Sequence, residues 1–566
     1  MNKKRKITQQ VNKEEPVIKK LDTKYPDFFV NRFQHDVSDA LISQLKDDTV
    51  SKKTISSKTA FPGSTLHISL NPSFHGILEN IEDLPLVPSK EFVDKRLLND
   101  NIITEIEQTK MLGIMGRYLD LCYASKTREY LEPCCYHILN HLLRSKNLII
   151  SNQKRLENAK NNLSDELIED CRDQGLNRPK VLILAPFKKD AYEIVKTITK
   201  ILLDGDRTQI LNLAKFEEEY GPTNTGMHDK WRAPQEFKDL LSGNVDDSFR
   251  MGISLGKKAI KLFTSFENSD VILCSPLGLR MIIGDEEEEK RETDFLSSIE
   301  LVVLERTNVM YMQNWEHLLT ILAALNQIPQ EVQTDISRVR HWVLKGHGPN
   351  YRQLIAFSEI NFAELHSLFA EEKNITGQAK LTQNPSVMLE NIEVPILQEL
   401  HRFDCEDPSQ QSDLRFAYFV RNVLPKLKQG TMVFIPSYFD YIRIRNYLKN
   451  DEESFSQIHE YASDGKIRKS RKAFASGEKK LLLITERCQF YRHFVVSGVK
   501  YIVFYQMPII PRFYYDMINM SKAEGTLHTT LIFCKYDVLR VQNVFGVTQA
   551  KQLMLSQKKF HALLSE

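Results

Sequence analysis

Apolar positions along the chain fall into two kinds of pattern, and their alternation is the first thing the sequence says. Short continuous apolar runs recur: Val181 to Leu184 in "RPKVLILAPFKKDAYEIVKTITKIL", then "DVILCSPLGLRMII", "IELVVLERTNVMYM" and "RQLIAFSEINFAELHSLF". Each run is of strand length, and each is followed by a turn and then by apolar residues at three-to-four spacing. Strands buried on both faces read as unbroken apolar runs, so strand, turn and helix repeated with short loops predict a doubly wound parallel sheet. A second series follows: "GTMVFIPSYFDYIRIRNYL", "KIRKSRKAFASGEKKLLLITERCQFY", "GVKYIVFYQMP" and "GTLHTTLIFCKYD". The interval 372–412 between the series reads as loop-rich. Upstream, "MLGIMGRYLDLCYA" and "YHILNHLLRSKNLIISNQKRLENAKNNL" have helical spacing throughout, and the second turns polar towards Leu163 and projects into solvent.

The expected organisation is two tandem α/β domains, 101–375 and 395–566, joined by a linker at 376–394. They are preceded by a basic, largely disordered extension over 1–100. Low apolar content and a Lys/Arg cluster at Lys3 to Lys6 support disorder at the start. That cluster reads as a nuclear import signal, a phosphate-seeking arm or a solubilising tail. "YPDFFVNRF", Tyr25 to Phe33, brings aromatic residues into the polar background and suggests short segments that dock on something.

Composition adds mostly exclusions. The 566 residues exceed what one core usually supports, and 42% hydrophobic with 27% charged residues is a soluble globular composition. A formal net charge of +2 does not announce a nucleic-acid binder, so any basic surface must be local. The eight cysteines include no Cys-x-x-Cys pair, which argues against a disulfide framework or a zinc ribbon, and Cys134 and Cys135 read as buried thiols. The histidines have no metal-ligand spacing, so no metal is expected. No apolar run approaches about 18 residues, and no secretory segment opens the chain, so no membrane partner is expected.

Ligands of parallel sheets bind at strand carboxyl ends, and there the chain carries a resemblance. Ala185-Pro186-Phe187-Lys188-Lys189-Asp190-Ala191, Ser275-Pro276, the turn Glu305-Arg306-Thr307-Asn308 and Phe357-Ser358-Glu359 follow one another as the motifs of the first DEAD-box helicase domain do. The second series resembles the second RecA-like domain. The fold class implied is α/β, helicase superfamily 2-like.

The ATP machinery departs from that pattern. A phosphate loop needs Gly-x-x-x-x-Gly-Lys-Ser/Thr, so that backbone N–H groups, a lysine and a hydroxyl surround phosphates and magnesium. Nothing before the Lys180–Pro186 strand fits. "GISLGKKA", Gly252 to Ala259, is one residue short, lacks the hydroxyl and lies too late; it reads as the start of an amphipathic helix. In the acidic turn Glu305 stands for the first aspartate, but Arg306 replaces the carboxylate that would position water, and a guanidinium repels a metal cation. The Ser-Ala-Thr turn has become Ser358-Glu359-Ile360, and Met517 to Ser521 lack both arginine fingers. Losses at four motifs mean that hydrolysis is not the function: no catalytic residue and no cofactor is expected.

Longer strings narrow the match. "CRDQGLNRPKVLILAPFKKDAYEIV", "SGNVDDSFRMGISLGKKAIKLF", "SDVILCSPLGLRMII", "DFLSSIELVV", "MQNWEHL", "YRQLIAFS" and "TERCQFYRHF" resemble the digestive-organ-expansion-factor family, also known as U3 small-nucleolar-RNA-associated protein 25, over roughly 100–560. The resemblance implies a nucleolar protein of the small-subunit processome, needed for early pre-18S ribosomal RNA processing, without ATPase motifs. Its implied partners are pre-ribosomal RNA, U3 small nucleolar RNA and other processome proteins. The RNA-binding candidates it implies are Lys188 and Lys189 at the first RNA-contacting turn, Ser275 with Arg280 one turn on, Ser437 after a strand of the second domain, and Thr485 with Arg487. "KIRKSRKAF", Lys466 to Phe474, places basic residues on a helix that faces either RNA or water. "GDEEEEKRE", Gly284 to Glu292, is a solvated loop or a contact for a basic partner. Two other functions stay open: an RNA-dependent ATPase with an unorthodox nucleotide site, and a protein-interaction module with a vestigial cleft.

Overall fold

The computed structural model describes residues 27–61, 63–72, 74, 78, 93–97, 106–125, 127–159, 163–204, 206–223, 235–257, 259–284, 292–383, 388–521 and 526–565. The Lys3–Lys6 cluster and positions 285–291 of the acidic loop lie outside them.

The first sheet has eleven strands: β1 (Lys53–Ser57), β2 (Ser64–Leu70), β3 (Asp120–Ala124), β4 (Val181–Leu184), β5 (Ile210–Leu211), β6 (Arg250–Leu255), β7 (Ile260–Thr264), β8 (Val271–Cys274), β9 (Leu301–Leu304), β10 (Gln353–Ser358) and β11 (Gly377–Gln383). Their order is β1-β2-β11-β3-β10-β9-β4-β8-β6-β7-β5. The six strands from β11 to β8 are parallel, with antiparallel additions at both ends. The second sheet contains β12 (Ile396–Arg402), β13 (Thr431–Ile435), β14 (Phe455–Ile458), β15 (Leu481–Thr485), β16 (Tyr501–Phe504), β17 (Leu527–Phe533) and β18 (Phe560–Ser565), ordered β14-β15-β13-β16-β17-β12-β18. Only β18 runs antiparallel there. The strands read from continuous apolar runs, β4, β8, β9, β10, β13 and β15, are buried at every residue, as strands covered by helices on both faces must be.

Four expectations are corrected. The extension set apart at 1–100 is not separate over its described part. Helix Phe28–Phe33 inserts Phe29 and Phe33 into the first core, Arg32 is buried with its guanidinium donating to the Tyr351 carbonyl at 2.9 Å, and β2 pairs along the whole of β11. The stretch 111–124 is not one helix: helix Ile106–Met115 ends, and β3 follows, fully buried between β11 and β10. Apolar residues in the four consecutive positions Leu121 to Ala124 satisfy either period, so spacing alone could not separate strand from helix there. Gly252 to Ala259 is neither phosphate loop nor helix start; it is the end of β6 and the hairpin into β7. Finally, the interval 372–412 contains β11 and β12, and β11 lies within the linker 376–394. Gly377, at φ 128°, lies so close to the Ser69 carbonyl that a Cβ would collide with it, which requires glycine there.

The two domains meet along an apolar seam. Phe187, Leu240, Val309 and Met312 of the first half belong to the same buried cluster as Phe490, Ile509, Ile510 and Phe513 of the second, with Met388 of the connecting segment. Polar contacts cross it: the Asn543 amide donates to the Asn361 carbonyl at 2.9 Å, and the Tyr491 hydroxyl to the Met312 carbonyl at 3.5 Å. The Phe237 and His493 rings lie 5.2 Å apart.

Candidate nucleic-acid interface and the closed nucleotide site

Parallel strands in register end together, so the turns that follow them form a rim. Leu184 lies opposite both Cys274 and Leu304, Ala356 opposite Leu304, and Ser358 opposite Ala124. The turn after β3 therefore stands in line with the acidic turn after β9. It leads from a buried parallel strand directly into the long helix Leu131–Asn158, the setting a phosphate loop requires. Its residues are Ser-Lys-Thr-Arg-Glu-Tyr, with no glycine to bring backbone N–H groups around a phosphate.

That turn delivers side chains instead. Arg128 pairs with Glu305 at 2.6 Å, and the Tyr130 hydroxyl donates to the same carboxylate at 2.9 Å. The Tyr130 ring is fixed by stacking on Phe357 at 3.8 Å. Arg128 also pairs with Glu193 and lies 3.5 Å from Asp190. From the other side Arg306 reaches Asp190 at 3.4 Å and Glu359 at 3.1 Å. Glu305 is 1% exposed. Burial lifts its pKa above the usual carboxylate range, opposed by Arg128 and reinforced by Asp190. Burial works against the charges of both arginines too, but their carboxylate partners prevail and hold both guanidinium pKa values high. Arg306 has φ 53° and ψ 57°, a left-handed conformation that costs a non-glycine residue about 1 kcal/mol. It persists because Thr307 donates to the Phe357 carbonyl at 3.2 Å and the Asn308 side chain accepts from the Glu359 N–H at 3.2 Å, pinning the next turn.

Where adjacent carboxylates would hold magnesium, two arginines are seated. Among the described residues no group of three His, Cys, Asp or Glu side chains is placed to hold a metal. A cleft of about 540 Å³ does lie between the domains, lined by Arg128, Lys189 and Arg306 on one side and Phe490, Arg512 and Asn543 on the other. Arg128 and Tyr130 escaped the sequence reading, which named Asp190 and Glu359 only as members of the strand-end motifs. The available signal was strand-turn-helix grammar at "LDLCYASKTREYLEP", hidden by helical spacing just before it.

The RNA-binding candidates fall into four groups. Lys188 pairs with Asp246 at 2.8 Å, and Lys189 donates to the carbonyls of Asp239 and Leu240 at 2.7 and 2.6 Å. Burial lowers the Lys189 pKa to about 8, with Asp190 opposing. Ser275 and Ser437 are helix N-caps, accepting from the N–H groups of Gly278 and Asp440 at 2.9 and 3.3 Å, and Ser275 is buried. Arg280 and Arg487 are brought towards one place from different domains: both act electrostatically on His317, and Asp247 feels Arg487 and His317. Thr485 is buried and donates to Glu460 at 2.7 Å. The three adjacent parallel strands β14, β15 and β13 align the Ser437, Glu460 and Thr485 turns on one edge, with Ile458 opposite Ile484 and Thr485 opposite Ile435. On that edge Phe439 is 86% and Tyr461 68% exposed, and the sequence reading passed over both.

Comparisons with known proteins bear on this geometry. A family model described as "UTP25, NTP hydrolase-like domain" matches residues 118–379, and one described as "Utp25, C-terminal domain" matches 388–563. The U3 small nucleolar RNA-associated protein 25 homolog of Homo sapiens is 35% identical over 477 residues, covering 81% of this chain and 63% of the relative. The U3 small nucleolar RNA-associated protein 25 of Candida tropicalis is 35% identical over 482 residues, covering 81% of this chain and 67% of its own length. The chain thus spans 63% of the length of the human relative it matches. Among solved structures, the yeast DEAD-box splicing factor Prp28 is similar at 14% identity and TM-score 0.30, over 93% of this chain and 97% of that one.

Proposed function

The chain belongs to the U3 small nucleolar RNA-associated protein 25 family, and from that premise we propose that it is a non-catalytic, RNA-binding scaffold of small-subunit ribosome assembly. The names of the relatives support a role beside U3 small nucleolar RNA in the nucleolus. Pre-ribosomal RNA and other processome proteins are the partners this role requires, and early pre-18S RNA processing is the step it serves. The observation that carries the non-catalytic half is the Arg128–Glu305 pair, with Arg306 beside it. Hydrolysis needs a metal-bound triphosphate and a positioned water. Here the carboxylate is bound to a guanidinium and a phenol, and the phosphate-side turn has no glycine. Apolar packing across the domain seam supplies the cohesion that a bridging nucleotide would otherwise provide.

Purified full-length chain with RNA and magnesium is expected to turn over no ATP above background. Turnover that disappears in Glu305→Ala would overturn the reading in favour of an unorthodox ATPase. A tagged chain purified from cells and sequenced for its RNA is expected to enrich pre-18S and U3 sequences. A protein-interaction module without RNA contact is the second reading, favoured by the internal engagement of Lys188 and Lys189. Absence of RNA binding at low salt would select it.

A further inference from the structure

The second-domain edge holds a feature that neither the fold nor the closed nucleotide site uses. Phe439 sits in the first turn of helix Tyr438–Asn450, directly after β13, and Tyr461 follows β14. Both rings stand in solvent, at 86% and 68% exposure. Beneath Tyr461 is a prepared floor. The Tyr438 and Tyr461 rings meet edge-on at 5.0 Å, Tyr438 lies 5.6 Å from buried Tyr441, and His459 packs 5.2 Å from Tyr441. The Tyr441 hydroxyl is fixed by donating to Gln457 at 2.8 Å. The Tyr461 ring is thus borne by an ordered aromatic stack, and Phe439 follows Tyr438 in the first turn of the same helix.

Charge around the rings argues for one kind of occupant. The two carboxylates next to Tyr461 are already engaged, Glu460 by the Thr485 hydroxyl and Asp464 by Arg492. Helix Asp464–Ala475 begins three residues on and exposes Lys466, Arg468, Lys469 and Lys472. Among the described residues none of these four makes an ion pair. Arg445 and Lys466 lie near enough to His459 to disfavour its protonation, behind the larger effect of burial. Flat exposed rings beside unpaired cations suit a polyanion that carries flat groups. Single-stranded nucleic acid is such a ligand: its backbone follows basic side chains while its unpaired bases stack on aromatic faces. A duplex keeps its bases inside, and its charge alone would not use the rings.

We propose that Phe439 and Tyr461 form a stacking ledge for unpaired bases of single-stranded RNA, whose backbone is held by the exposed lysines and arginine of the 464–475 helix. This rests on the RNA-binding reading above and deepens it, by naming the form of RNA and the chemistry that grips it. A base stacked on an aromatic side chain contributes about 1–3 kcal/mol, so losing one ring should weaken binding roughly 5- to 150-fold.

The test uses the full chain and three fluorescein-labelled RNAs of about 20 nucleotides: a mixed-sequence single strand, its duplex and an abasic single strand of equal length. Phe439→Ala with Tyr461→Ala should weaken single-strand binding at least tenfold, leave the weaker duplex binding unchanged and keep the slope of log affinity against log salt. Because both rings are exposed, the melting temperature should not move. The abasic strand should bind the intact chain as weakly as the ordinary strand binds the double variant. Lys466→Glu with Lys469→Glu should instead flatten the salt slope, by roughly 0.7 per lost phosphate contact. Phe439→Trp should retain binding and show indole quenching on addition of the single strand. Undiminished single-strand binding by the alanine pair, equally tight abasic binding or an equal loss on duplex would overturn the ledge while leaving RNA binding intact. Failure of the unaltered chain to bind any of the three at low salt would overturn both the ledge and the RNA-binding reading.

Discussion

At the first domain's rim, the turns after β3, β4, β9 and β10 gather Arg128 and Arg306 with Asp190, Glu193, Glu305 and Glu359 into one ion-paired cluster. At the second domain's rim, the turns after β13 and β14 leave Phe439 and Tyr461 in solvent. Both rims arise from one rule, that parallel strands in register end level and present their following turns together. The outcomes are opposite because the side chains on those turns differ. Complementary charges converging in a partly buried cleft pair with one another, two guanidinium groups among four carboxylates. Phe439 and Tyr461 on an open edge stay largely in solvent, with Tyr461 touching only the edge-on Tyr438 ring among the aromatic contacts of the described residues. Strand-end geometry thus makes a site available, and the residues on the turns decide whether it is filled from within or from outside.

The largest expected effect tests how completely the first rim is satisfied. Arg128→Ala leaves Glu305 buried beside Asp190 without its cation, which should cost about 3–4 kcal/mol in denaturant unfolding. A loss below about 1 kcal/mol would mean that water or a mobile side chain already serves the carboxylate. Next is the seam that sets the two rims relative to each other. Met312→Ala removes a buried side chain from the shared cluster and should cost about 2–3 kcal/mol. If apolar packing holds the domains together, the radius of gyration in small-angle scattering should also rise in this variant, without any dependence on ATP.

A third test concerns charge in the second rim. Glu486 is buried after β15 and accepts from the N–H groups of Ile509 and Ile510 at 3.0 and 2.8 Å. Burial raises its pKa to about 7, against the backbone hydrogen bonds and Arg540. The folded pKa exceeds the unfolded one, so the folded chain binds this proton more tightly. The contribution to stability is full below the unfolded value and is lost as pH rises to about 7. Glu486→Gln does not titrate, so its stability relative to the parent should climb between about pH 4.5 and 7, by on the order of 3 kcal/mol, and then level off. A difference that stays flat from pH 4.5 to 8 would show that Glu486 remains ionised throughout. The smallest effect belongs to Lys188→Ala, whose partner Asp246 is 45% exposed; it should cost less than about 1 kcal/mol in the same unfolding assay.

Much of this was legible along the chain. Val181–Leu184, Val271–Cys274, Leu301–Leu304 and Leu481–Thr485 announced themselves because a strand covered on both faces must be apolar at every position, and that requirement is local. The substitution of Arg306 in the acidic turn was equally plain, since a residue's identity needs no coordinates. Strand β3 was not legible: Asp120–Ala124 follows a helix closely and satisfies either period. Strands β1, β2 and β11 carry polar residues on their outer positions, and only pairing made them part of the first sheet.

The sequence alone determined the two parallel-sheet domains and the absence of a glycine-rich phosphate loop, because both are written in neighbouring residues. Tertiary structure decided what occupies the vacated place. Arg128 lies 177 residues before Glu305 in the chain, and their pairing exists only because β3, β10 and β9 stand side by side. It also decided that Phe439 and Tyr461 share an edge, since β13 and β14 both border β15 and run the same way. Contacts of this kind depend on strand order, which a one-dimensional pattern of apolar and polar residues does not encode.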